Sequence, residues 1–263
     1  MFNVMKAQKY QLLRSKSTYI ILFLCLLFLV FGTIMEIGSQ GEDASASTMY
    51  AAMAESYTLF IPMLVMAYTA TICGSDLNDK TINHEMLTGT DRKHIYFGRV
   101  FMSLIVNLIA IVLVLIVPIL LFAVFMGWGH TITPRDLALR FLAAFFPMLR
   151  LTAFYAFMTF LLKSGTAVYA IGYILTFLEM IAMVMIEELF STKVLMYILS
   201  VDALERILIP QNYGYGFFDD KDVMIVKDVM ETSTVVHAAS SGIIGTAVFL
   251  IAGYMIFRKR DMD

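Results

Sequence analysis

An all-α integral membrane protein is the fold class this sequence predicts, and three observations lead there. Several apolar runs reach the ~20 residues that a helix needs to cross a bilayer. Asp, Glu, Lys and Arg make up only 15% of the 263 residues, against roughly a quarter in soluble domains. The chain is 60% hydrophobic with a mean hydropathy of +0.79, more apolar surface than a soluble fold of this length can hide. The net charge of −2 and the lack of a basic domain argue against a nucleic-acid partner. Cys25 and Cys73 both lie in or beside apolar runs, so no disulfide framework is indicated.

The first element is amphipathic. In MFNVMKAQKYQLLRSKS, Phe2, Met5, Leu12 and Leu13 can share a face, with Lys6, Lys9, Arg14 and Lys16 nearer the polar side. Residues 1–18 therefore read as an interfacial helix in the headgroup region, with a plain basic anchor as the alternative. Six spans follow, over residues 19–37, 53–73, 100–126, 139–162, 167–186 and 235–257. The first is longer than the ~7–15 residues of a signal-peptide core, so it reads as a span, although ASAS beyond it offers a cleavage site. Lysine and arginine set the orientation. With the N-terminus inside, twelve bases fall on the cytoplasmic side and six outside, which puts both termini in the cytoplasm of a cell-membrane protein. Pro62, Pro118 and Pro147 fall inside spans two, three and four. They read as static bends or as hinges.

The polar segment GSDLNDKTINHEMLTGTDRKHIYFGR, residues 74–99, then lies in the cytoplasm. Asn78 or Asp79 can cap a helix that begins at Lys80. Gly89 suits a left-handed stop. Thr90 then caps the helix that continues into span three, with Asp91 in its first turn. A helix as short as KTINHEML is not stable alone in water. Ile82, Met86 and Leu87 present apolar atoms beyond the membrane, so the segment reads as a docking handle for another protein. Catalysis is the poorer reading. His84–Glu85 lacks a second histidine four residues on, where Thr88 stands, and Asp79 occupies the place a phosphate loop gives to glycine.

Two charges fall inside spans. Arg150 sits about 16 Å and Glu179 about 11 Å from the outer ends of spans four and five, at 1.5 Å per residue. Each is expensive in hydrocarbon, and the short turn at 163–166 makes the spans antiparallel neighbours. We expect an ion pair that fixes helix register, or a polar station in a substrate path. The outer stretch 187–234 carries Val194, Tyr197, Ile198, Val201, Leu204 and Leu208 at helical spacing. It reads as an amphipathic or re-entrant helix before the last span. Eight acids against four bases over residues 188–235 give that side an acidic rim able to attract cationic peptides. The GYG at residues 214–216 lacks the preceding Thr-Val of a potassium filter.

The polar segment resembles the cytoplasmic loop of type-2 ABC transporter permeases, the bacterial group that includes bacitracin-resistance and lantibiotic-immunity permeases. The matching features are Asp76 or Asp79, the Lys80–Thr81 step, INHEML, and TGTDRKHIYFGR running into span three. KYQLLRSKS resembles the family's N-terminal elbow and FRKRDMD its C-terminal pattern. Many members carry a proline before the arginine, which TGTDRK lacks. The resemblance implies a six-span permease whose loop couples to a separate ATPase through Lys80, Thr81, Ile82, His84, Glu85, Met86 and Leu87. It also implies that ATP and magnesium are held by that ATPase, so this chain is not itself an enzyme and carries no cofactor. A second permease subunit, identical or not, would complete the path. Export of an amphipathic peptide or drug-like substrate, or immunity to it, is the function implied. The alternative is a non-transporting membrane sensor or immunity protein.

Overall fold

A computed structural model describes residues 1–40, 45–78, 81–87, 89–130, 132–190, 199–210, 230 and 232–259, and among the described residues there is no strand. In chain order, α1 spans Phe2–Arg14, α2 Lys16–Gln40, α3 Ala46–Asn78, α4 Thr81–Leu87 and α5 Arg92–Met126. They are followed by α6 Pro134–Leu162, α7 Gly165–Phe190, α8 Ser200–Leu208 and α9 Thr232–Lys259. Helices α3, α5, α6, α7 and α9 are each long and apolar enough to cross a bilayer. α1 and the Thr18–Gly32 part of α2 pass the same test only as a pair bent by 62°. The first expected span thus lies on a helix that α1 meets at a sharp elbow.

The helices outrun the expected spans. α5 begins at Arg92 and α6 at Pro134, because backbone hydrogen bonding continues past the apolar run into polar residues. Local chemistry sets these ends. The Asp136 N–H donates to Thr133 Oγ1 at 3.2 Å, with Pro134 in the first turn of α6, a favoured start. Lys163 closes the same helix in the left-handed conformation, φ 56°. α3, α5 and α6 each continue through their proline.

α3 is the centre of the bundle and packs against α2, α5, α6, α7 and α8. Of its apolar window 72% is buried, against 11% for α9, so α9 lies at the edge although α6 runs along it. Small residues allow close approach. A Cβ on Gly242 would stand 2.7 Å from the Phe146 carbonyl oxygen, and one on Gly74 only 2.5 Å from the Gly165 Cα. Outward-facing stripes on α2 (Phe23, Leu24, Leu27, Phe28, Phe31) and α9 (Ile244, Val248, Ile251, Met255) are exposed. Apolar stripes of that extent are what lipid covers. The architecture is that of an integral membrane protein.

The bundle has two chemically distinct ends. At one, Arg92 Nη1 donates to the Arg258 carbonyl at 2.9 Å and Gly98 lies against Val4. α1, α4, the start of α5 and the end of α9 therefore meet there. At the other, the Ala46 and Ser47 N–H groups donate to the carbonyls of Gly127 and Trp128 at 3.1 and 2.9 Å.

Candidate functional site

At the α4 end the polar segment folds as a short helix and a stop. Gly89 has φ +87°. Its N–H donates to the Met86 carbonyl at 3.0 Å, and the Thr90 N–H donates to that of Glu85 at 3.3 Å. This 5→2 and 6→1 pair is the Schellman closure that glycine permits. The following helix begins at Arg92, with Asp91 rather than Thr90 as its N-cap residue. α3 runs on to Asn78, so Asn78 ends a helix instead of opening one.

The structure corrects the docking face. Ile82 is 1% exposed and belongs to a buried cluster with Val4, Cys73, Ile95, Tyr96, Phe160 and Phe257. Met86 lies half-buried against the same cluster. That cluster, drawn from α1, α3, α5, α6 and α9, takes in apolar atoms that look uncovered in the sequence. Only Leu87 of the three faces outward, at 83% exposure. Glu85 is not free for a partner either, since Arg99 Nη2 donates to its Oε2 at 3.1 Å. Lys80 and the side chains of Thr81 and His84 lie outside the described residues.

Arg99 is fully buried and opens a polar column on one face of α5. The Ser103 hydroxyl donates to the Arg99 carbonyl at 2.9 Å. One turn further, Asn107 Nδ2 donates to Thr69 Oγ1 of α3 at 2.9 Å and to Thr152 Oγ1 of α6 at 3.1 Å. Polar side chains of this kind join helices inside a membrane. Sequence reasoning missed this column, although its signal is plain: Arg99, Ser103 and Asn107 stand at i, i+4 and i+8.

The second cluster surrounds α8. This nine-residue helix is buried, with Val201 and Asp202 at 2% exposure and Ala203, Leu204, Ile207 and Leu208 at 0%. A helix end leaves backbone N–H or C=O groups without helical partners, and here neighbouring side chains serve them. At its start the Val201 N–H donates to Glu179 Oε1 of α7 at 3.0 Å. Arg150 Nε of α6 donates to Ser200 Oγ at 2.7 Å. At its end Arg140 Nη1 donates to the Ile207 carbonyl at 2.9 Å, and the Tyr50 hydroxyl to that of Leu208 at 2.7 Å. A carboxylate at the N-terminus and a guanidinium at the C-terminus both favour the helix dipole. Arg140 also pairs with Asp136 at 2.8 Å, and Arg206 with Asp202 at 3.0 Å. Around α8 stand three arginines (140, 150 and 206) and four acids, Asp136, Glu179, Asp202 and the half-buried Glu205 of α8 itself.

Arg150 and Glu179 converge on adjacent residues, Ser200 and Val201. Both engage the first turn of α8, so the expected α6–α7 link is a joint of three helices. α8 runs antiparallel to α6, from Arg150 back to Arg140. Ten residues of α6 span ~15 Å and nine of α8 ~13.5 Å, so the two are matched in length. This buries the helix alongside α6 instead of leaving it exposed. Asp136, Arg140 and Tyr50 escaped sequence reasoning; their one signal was the i, i+4 spacing of Asp136 and Arg140. The stretch 191–198 and the GYG region lie outside the described residues.

An all-helical bundle with five helices long and apolar enough to cross a membrane, a short buried helix packed among them and a polar segment at one end is what the fold and site define. No protein-family model matches the chain, and no curated protein matches it either.

Proposed function

We propose that this chain is the membrane-spanning permease subunit of an ATP-driven ABC transporter that exports an amphipathic peptide or drug-like substrate. α1 is an interfacial elbow and the bundle has six spans. The end bearing α1, α4 and the α9 terminus faces the cytoplasm. A separate ATPase binds ATP with magnesium and engages α4, and a second permease subunit completes the path.

One observation carries this reading. α4 is too short to stand alone, yet it is fastened to the bundle by Ile82 and by Glu85–Arg99 while it holds Leu87 out at 83% exposure. A fixed handle with one exposed apolar tip suits a partner that pushes. The resemblance of residues 74–99 to the coupling loop of type-2 permeases supports the same partner.

The test is affinity purification of the tagged chain from its native membrane in mild detergent, with ATP hydrolysis measured on the product. Wild type is expected to bring down an ATPase. Leu87→Asp is expected to lose it while keeping the wild-type melting temperature. A stable chain that purifies without ATPase activity rejects the permease reading in favour of a membrane sensor or immunity protein.

A further inference from the structure

We infer that a pocket between α1 and α3, beside the elbow at Ser15, holds a phospholipid headgroup, with preference for an anionic lipid. A cavity of about 130 Å³ opens there. It is lined by Gln8 and Gln11 of α1, Ser15 at the corner, and Thr71 and Ser75 of α3, over an apolar floor of Leu12 and Ile72. Amides and hydroxyls over aliphatic carbon match the boundary between a lipid's phosphodiester and glycerol and its first chain carbons.

The segment that supplies the α1 wall of the cavity carries only basic charge. Lys6, Lys9, Arg14 and Lys16 are exposed, and no acid occurs in the chain before Glu36. Arg14 is held over the Tyr10 ring at 5.0 Å, beside the cavity wall formed by Gln11 and Ser15. On the outer side of α1, Phe2, Tyr10 and Leu13 are exposed as residues that enter the headgroup layer. Tyr68 donates to the Thr18 carbonyl at 3.0 Å, which pins the start of α2 to α3 and fixes the bend. A base near an anionic surface contributes about fivefold in partitioning.

The experiment is native mass spectrometry of the full chain, released from micelles with equal phosphatidylglycerol and phosphatidylcholine. Wild type is expected to retain phosphatidylglycerol at about fivefold excess or more. Gln11→Leu, an exposed position that the fold tolerates, is expected to lose lipid retention. Arg14→Ala with Lys16→Ala is expected to lose the preference but keep one bound lipid. Equal retention of both lipids by wild type, or unchanged lipid retention in Gln11→Leu, overturns the assignment. Displacement of the lipid by millimolar glycerol 3-phosphate also overturns it, since the site would then take a free phosphate. Gel-filtration profiles identical to wild type keep each variant interpretable.

Discussion

Arg140→Ala removes the guanidinium that joins α6 to the end of α8. The side chain is 1% exposed and makes two contacts that matter, to Asp136 Oδ2 at 2.8 Å and to the Ile207 carbonyl at 2.9 Å. Breaking a buried ion pair by removing one partner costs about 3–5 kcal/mol. A buried carbonyl left without a donor costs about 1–3 kcal/mol. These overlap, because both express the same lost donor. Tyr50 still holds the Leu208 carbonyl, so the lower value applies, about 3 kcal/mol. At about 2–4 °C per kcal/mol for a chain of this size, the melting temperature falls by roughly 6–12 °C. Trp128, the single tryptophan, donates from Nε1 to the Ile132 carbonyl at 2.7 Å just before α6. Its fluorescence in detergent reports on this end of the bundle. The cycle with Asp136→Leu separates the pair from its parts. Arg140→Met with Asp136→Leu is expected to cost less than the sum of the singles by at least about 1.5 kcal/mol. A melting temperature for Arg140→Ala within about 2 °C of wild type, or strict additivity in the cycle, refutes the clamp.

Three further outcomes follow from the same geometry. Glu179→Gln keeps an oxygen for the Val201 N–H and is expected to leave Ala203→Cys slow to react with maleimide, whereas Glu179→Ala speeds labelling by freeing the start of α8. Gly74→Ala puts a methyl group 2.5 Å from the Gly165 Cα; α3 and α7 must part, at about 1–3 kcal/mol in thermal unfolding. Glu85→Ala takes the carboxylate from buried Arg99 and is expected to make the α4 segment cleavable by added protease, with little change on Glu85→Gln.

Sequence alone discloses those features whose cause is local. A bilayer demands length and apolarity together, so α3, α5, α6, α7 and α9 stand out. Gly89 ends α4 where a left-handed residue is needed. Features that depend on partners far along the chain stay hidden. Ile82 looks uncovered because the buried cluster it joins includes Phe160 and Phe257, 78 and 175 residues away. In the sequence α8 reads as an interfacial or a re-entrant helix, because its Asp202 and Arg206 look solvated, yet these answer each other within the helix. The distant Glu179, Arg140 and Tyr50 meet its backbone ends. Arg150 and Glu179 were visible as costly charges, but not the third helix that both engage.

The Glu85–Arg99 joint has a mechanical consequence. Arg99 stands on the same face of α5 as Asn107, two turns on, which bonds α3 and α6 at once. The ion pair ties α4 directly to that helix. A load applied at Leu87 passes along α5 as along a strut and reaches three spans in mid-bundle. Close-packed interiors resist such loads until they switch as a unit. A partner pressing on this tip would tilt the helices together rather than bend one of them.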